Sequence, residues 1–199
     1  LPITKEQKVL EIGSGCGPIT GVLARKAKSV TCIDLSKMRS TINAYRNREC
    51  DNVKIMVGNF QDVESSLTEK YDYITLIGVF EYSQGYIGTA QPYVEMLRRI
   101  ARHLAPGGRI VIAIENRLGL KYWAGCTEDH VGKYFEGLEN YPDTRSVRTF
   151  SRKELSDIID QAGEFKTTFY YPYPDYKFPM TIYSDKRLPK KGELRDNFY

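Results

Sequence analysis

Three glycines at alternate positions, Gly13, Gly15 and Gly17, follow the apolar run of Val9, Leu10 and Ile12. They lead into Ile19, Val22 and Leu23 at helical spacing. A strand covered on both faces, a turn and a helix are what this order predicts. Glycine lets the backbone turn sharply and lie close to a ligand, where a Cβ would obstruct it. In an open α/β sheet, the carboxyl end of the first strand is where nucleotide-like cofactors bind. A phosphate-cradling loop needs Lys followed by Ser or Thr, and neither pairing closes this turn. A dinucleotide fingerprint needs G-x-G-x-x-G, but Pro18 stands where its last glycine belongs. Asp34 ends a second apolar run, Val30, Cys32 and Ile33. Its separation from Gly13 suits the roughly 20 residues that place a carboxylate over ribose hydroxyls. The same side chain is also suited to capping the next helix, although Ser36 can serve that helix itself.

The pattern from Glu11 to Gly17, E-x-G-x-G-x-G, resembles motif I of the class I S-adenosylmethionine-dependent methyltransferases. The resemblance implies a Rossmann-like, doubly wound α/β fold: a mostly parallel seven-stranded sheet whose last strand is antiparallel. It implies a cofactor site built from Glu11, Gly13, Ser14, Gly15 and Gly17, with Asp34 on the ribose. Leu35 and Met38 are expected beside the adenine. Asn59 stands where the family carries Asp or Asn to bind the adenine amino group, with the N–H of Phe60 meeting a ring nitrogen. Asn59 is equally a polar turn residue after a strand. Gly78 and Val79, ending the run YDYITLIGVF (71–80), are expected to border the cofactor.

Methyl transfer from a sulfonium asks the protein to align donor and acceptor and exclude water. An oxygen acceptor adds the need for a general base. His130, in EDHVGKYF, lies beside Glu128 and Asp129, either of which can orient it or raise its pKa. Glu81, after the fourth strand, and Glu115, ending the fifth, are the alternative bases. Each of the three also has a plain structural reading, as a surface histidine or a turn acid, and catalysis by positioning alone stays open. The second histidine, His103, falls near the end of a helix and reads as structural.

The elements that position these residues follow from periodicity. Strands are expected near 8–12, 29–34, 53–58, 71–78 and 108–115, with helices near 17–28, 37–49 and 90–104. Their alternation means a parallel sheet with helices on both faces. The turn LAPGG (104–108) introduces the fifth strand. Residues 116–149 form a long irregular stretch carrying Tyr122, Trp123, Tyr134, Phe135 and Tyr141, too aromatic for disorder. It reads as the lid or wall of the acceptor pocket, or as a satellite hydrophobic cluster, and one loop can be both. Ser151 and Glu154 form a capping box for a helix over 152–162 that Gly163 ends. A strand over 164–171 and an antiparallel return over 180–183 follow.

Composition sets the boundaries. The chain has 199 residues, 41% hydrophobic and 27% charged, which suits one α/β domain with a sizeable core. Its cysteines, at 16, 32, 50 and 126, contain no C-x-x-C pair, so neither a metal site nor a disulfide framework is expected. The net charge of +4 is too small to argue for nucleic acid, and no [N/D]-P-P-[Y/F] turn of the base N-methylating enzymes follows the fourth strand. No apolar run reaches the ~18 residues of a membrane span, so a cytoplasmic location is expected. The domain reads as residues 1–185, with a polar tail over 186–199 leading into a further segment of a longer polypeptide.

The stretches 115–135, 148–155 and 169–185 resemble a bacterial branch of the family found with glycosyltransferases of surface-polysaccharide assembly. That resemblance implies O-methylation of a saccharide or small metabolite, with Trp123, Tyr171, Tyr173 and Tyr176 suited to stacking on sugar rings. A second reading is a cofactor-binding module that serves a neighbouring glycosyltransferase without turnover.

Overall fold

The computed structural model describes residues 1–193; the end of the expected polar tail, 194–199, lies outside the described residues. The chain divides into two units, Leu1–Ala113 and Ile114–Tyr199.

The first unit is a five-stranded parallel sheet in the order β3-β2-β1-β4-β5. Its strands are β1 (Lys8–Ile12), β2 (Ser29–Asp34), β3 (Val53–Val57), β4 (Tyr71–Ile77) and β5 (Leu104–Ala113). Between them run α1 (Thr20–Lys26), α2 (Lys37–Arg46), α3 (Phe60–Val63), α4 (Ser83–Tyr86) and α5 (Pro92–Ala101). Val9, Leu10, Val30 and Ile74 are fully buried, which is why the strands read as continuous apolar runs. Val9, Val30 and Cys32 pack with Leu23, Ala24 and Ala27 of the α1 region into one core cluster. The chain winds outward from β1 to β3 and then crosses to β4. The strand order therefore reverses between β1 and β4, where an open α/β sheet leaves its binding crevice.

Two helices begin later than their periodicity suggests. Gly17 has φ +74°, outside the helical region, so α1 starts at Thr20 rather than near 17. Pro92 at the first turn sets the start of α5, where its missing N–H costs nothing. The LAPGG turn survives as a bulge inside β5: Tyr71 pairs with Leu104 and Tyr73 with Arg109, with Gly107 at φ +75° in the looped-out segment.

The second unit opens with an isolated parallel bridge between Asn116 and Phe150. The long stretch between them holds one short helix, α6 (Leu120–Trp123). Tyr122, Tyr141, Val147 and Thr149 are buried, whereas Trp123, Tyr134 and Phe135 are exposed. Then comes α7 (Arg152–Ala162), with the expected capping box at Ser151 and Glu154 and its C-cap at Gly163.

The final hairpin corrects two expectations. β6 covers only Tyr170–Tyr173, paired antiparallel with β7 (Thr181–Ser184), and the two form a sheet of their own. The parallel sheet thus has five strands, with a separate antiparallel pair, where seven in one sheet were expected. Pro172 sits mid-strand and cannot donate to a further ladder, which restricts β6 to an edge. The 164–171 strand is shortened because Phe169 N–H donates to the Asp185 side chain at 3.0 Å, closing the ladder there.

Candidate active site

The glycine turn is tied to β2 by backbone and side chain together. Gly13 N–H donates to Ile33 O at 2.7 Å, and Gly15 N–H donates to Asp34 Oδ2 at 2.8 Å. The other oxygen of Asp34 accepts from Ser36 N–H at 2.8 Å, while Ser36 Oγ caps α2 by accepting from Arg39 N–H. Asp34 therefore braces the turn, and Ser36 does the capping.

Beneath the turn lies a buried polar chain. Thr20 Oγ1 donates to Glu11 Oε2 at 2.5 Å, and Asn43 Nδ2 donates to Thr20 Oγ1 at 3.2 Å. Asn47 Nδ2 donates to Asn43 Oδ1 and to Gly17 O. Burial raises the pKa of the Glu11 carboxyl, and the hydrogen bonds from Thr20 and Cys32 partly oppose that rise. A Cβ on Gly17 would meet Asn43 Oδ1 at 2.1 Å, so this glycine is needed for packing. A Cβ on Gly15 would meet nothing within 4 Å. Of the three turn glycines, Gly15 alone opens to space, since a Cβ on Gly13 would meet Val79. Asn43 and Asn47, one turn apart on and just after α2, were not anticipated; their only trace in the sequence is a polar i, i+4 pair on the buried helix face.

Two cavities flank the turn, both within the first unit. One, of about 210 Å³, is lined by Glu11, Gly13, Ser14, Gly15 and Ile19 among others. The other, of about 250 Å³, includes Gly13, Asp34, Leu35, Asn59, Gly78 and Val79 in its wall. Phe60 also lines it, as do four residues that were not anticipated: Arg39, Tyr82, Tyr86 and Met96. Met38 is 71% exposed and lines neither cavity; the wall is met instead by Arg39, the next residue of α2. Asn59 does act as a turn residue: its Oδ1 accepts from Gln61 N–H and caps α3. Its amide nitrogen donates to Tyr86 O at 3.3 Å. Glu81 is buried in a single 3-10 turn, Phe80–Tyr82, of the same unit.

The second unit gathers His130, Glu128 and Glu115. Of the two acids beside His130, the structure selects Glu128: its Oε1 lies 2.8 Å from His130 Nδ1, and its Oε2 accepts the N–H groups of His130 and Val131. Tyr141 adds a further donor to Oε1 at 3.0 Å and shares a 2.6 Å bond with Thr149. Burial pushes the Glu128 carboxyl up, but the bonds from His130 and Val131 outweigh it and hold the pKa at about 2. An ionised carboxylate only accepts, so Nδ1 carries the proton. His130 Nε2 points towards Glu115, 3.8 Å from its Oε2, and Glu115 Oε1 pairs with Lys177 at 2.8 Å. Asp129 pairs with Lys121 at 2.7 Å instead of with the imidazole. His103 lies in the first unit, 3.7 Å from Glu64 and edge-on to Phe60.

A methyltransferase-domain family model matches residues 1–164. The chain belongs to that family. An uncharacterised methyltransferase of Staphylococcus carnosus is 26% identical over 167 residues, which is 82% of this chain and 72% of that one. A chain from the complex between the Haloferax volcanii Trm112 methyltransferase activator and its methyltransferase superposes with a TM-score of 0.62. Its identity is 20%, over 91% of this chain and 71% of that one. An S-adenosylmethionine-dependent methyltransferase of Methanosarcina mazei gives a TM-score of 0.61 at 15% identity, over 91% of each chain. At these identities the solved structures show a shared fold. Two others are spanned over only 61% and 57% of their own length.

The methyl donor of this methyltransferase is S-adenosylmethionine, and the residues present fit it. Ser14 Oγ is buried at the turn with no hydrogen-bond partner among the described residues, leaving a polar atom for a ligand to meet. The open flank of Gly15 provides the close approach, and the buried Asp34 carboxylate lines the neighbouring cavity. No described helix is long and apolar enough to cross a membrane.

Proposed function

We propose that this methyltransferase O-methylates a hydroxyl of a saccharide or another small metabolite, with His130 as the general base. The observation that carries the reading is the 2.8 Å contact between His130 Nδ1 and a carboxylate held ionised. With Nδ1 turned to Glu128, this reading assigns the proton transfer to Nε2. A proton taken from the acceptor hydroxyl onto Nε2 produces an imidazolium that Glu128 stabilises in place. Glu115 is the weaker choice of base, since one of its oxygens is already committed to Lys177.

In this reading the first unit holds the donor. When bound, S-adenosylmethionine supplies an electrophilic methyl group for in-line displacement. Glu11, Gly13, Ser14, Gly15 and Gly17 form the turn that receives it, with Glu11 and Gly17 acting from beneath. Each Asp34 oxygen accepts one protein N–H, and a carboxylate has about four acceptor positions, so two remain for the ribose hydroxyls. Leu35, Asn59 and Phe60 border the adenine, and Gly78 and Val79 close the same cavity. The exposed Trp123, with two-thirds of its surface open to solvent, supports a sugar acceptor. Residues 116–149 form the acceptor wall, and a glycosyltransferase of bacterial surface-polysaccharide assembly is the partner this reading implies.

A labelled-methyl assay over nucleotide sugars and glycan oligomers tests the reading. His130→Gln should lower kcat by about 10²–10⁴ with donor binding retained. Undiminished turnover in that variant would remove His130 as the base. Donor binding with no turnover on any acceptor would favour the non-catalytic module instead.

A further inference from the structure

A ribose is gripped through its hydroxyls, and each hydroxyl both donates and accepts. Asp34 can only accept: its oxygens take the N–H groups of Gly15 and Ser36, and the remaining positions can take protons. The carboxylate therefore meets only the donating side of a pair of hydroxyls. Their oxygens still need donors, and the same cavity has them. Arg39 and Tyr86 line it together with Asp34, all within the first unit.

Neither side chain is engaged elsewhere. The Arg39 guanidinium and the Tyr86 hydroxyl have no hydrogen-bond or ion-pair partner among the described residues. Burial pushes the pKa of the Tyr86 phenol up, Asp34 and Glu81 add to the rise, and Arg39 opposes it. The phenol thus stays protonated near neutrality and can donate. A guanidinium carries five N–H groups and accepts nothing, so Arg39 can only donate.

Both backbones are held in place. Asn59 Nδ2 donates to Tyr86 O at 3.3 Å, and the next residue, Ile87, is buried. Ile87 N–H closes the turn onto Ser83 O at 2.9 Å. Arg39 lies in the first turn of α2, where its own N–H donates to the Ser36 side chain. Two anchored residues therefore bring unpaired donors to the cavity of an acid that only accepts.

We propose that Arg39 and Tyr86 complete the ribose subsite, donating to the hydroxyl oxygens whose protons Asp34 accepts. They are specificity residues of the methyl donor's site and select a ribose over a deoxyribose. This inference rests on the reading of Asp34 as the ribose acid.

Calorimetry on the full chain with S-adenosylhomocysteine, the donor without its methyl group, reads binding without turnover. Tyr86→Phe removes only a hydroxyl, and Arg39→Met removes the N–H donors while keeping a long side chain. Each should weaken binding by about 3- to 10-fold, the range of a single hydrogen bond. The deciding comparison uses the 2′-deoxy and 3′-deoxy forms of the same ligand. Each substitution should lose its effect with the form lacking the hydroxyl that its residue meets. A loss that persists in full with both deoxy forms, or no loss with the ribose ligand, overturns the proposal. The unsubstituted protein gives a second measurement, independent of how the variants fold. It should bind each deoxy form at least about tenfold more weakly, and equal binding would also overturn the proposal. Failure of the Asp34 reading is distinct: Asp34→Ala would then leave the affinity for S-adenosylhomocysteine unchanged.

Discussion

The Asp34 carboxylate accepts the N–H of Gly15 at 2.8 Å, joining the end of β2 to the middle of the glycine turn. The acid expected to hold the ribose is therefore also the brace that shapes the loop. An extended strand end and a left-handed glycine are locked by one charge-assisted hydrogen bond, stronger than a neutral one.

Asp34→Ala should weaken S-adenosylmethionine binding by about 10- to 100-fold, because a charged acceptor contributes roughly 1.5–3 kcal/mol. Calorimetry measures this directly. Unchanged affinity would sink the assignment of this cavity to the donor.

Gly15 and Gly17 should respond differently to alanine. At Gly17 the new Cβ meets Asn43 Oδ1 at 2.1 Å with φ +74°, so stability should fall by about 2–4 kcal/mol, seen as a lower Tm. At Gly15 nothing lies within 4 Å, so the cost is the backbone strain alone, about 1–2 kcal/mol, while donor binding should be lost. Equal effects on Tm would refute this division between packing and ligand approach.

Thr20→Val removes the 2.5 Å donor to Glu11 while keeping the side-chain volume. A buried acceptor that loses its donor costs about 1–3 kcal/mol. Chemical denaturation should show that loss, and Thr20→Ser should restore most of it.

Glu128 makes stability depend on pH. Its folded pKa, about 2, lies below the unfolded value of 4.5. The carboxylate therefore contributes fully above about pH 4.5, and the contribution fades as pH falls through about 2. That contribution is on the order of 1–3 kcal/mol. The stability gap between the native protein and Glu128→Gln should be widest near neutrality and shrink at pH 3. A gap that does not change with pH would show that Glu128 is not ionised in the fold.

Much of the first unit was legible because its signals are local. Buried parallel strands need unbroken apolar runs, so β1, β2 and β4 appear in the sequence within a residue or so of where they fold. A capping box needs only four residues, and Ser151 and Glu154 announce α7 by themselves. Helix starts were less legible. The left-handed Gly17 delays α1, and periodicity does not report φ. The family resemblance implied Met38 beside the adenine, but Met38 is exposed and Arg39, the next residue of α2, lines the cavity.

By itself, the sequence determined the glycine turn, the acid at the end of β2 and the order of strands and helices. Each of these depends on residues near one another in the chain. Only the tertiary structure decided that the last two strands pair apart from the parallel sheet, since Pro172 limits the ladder. It also decided which acid holds His130. Glu128 and Asp129 are adjacent and chemically alike, and partners elsewhere in the chain help to separate them: Tyr141 turns to Glu128, while Lys121 and the distant Lys177 engage Asp129. Hydrogen bonds between segments far apart along the chain exist only once it has folded.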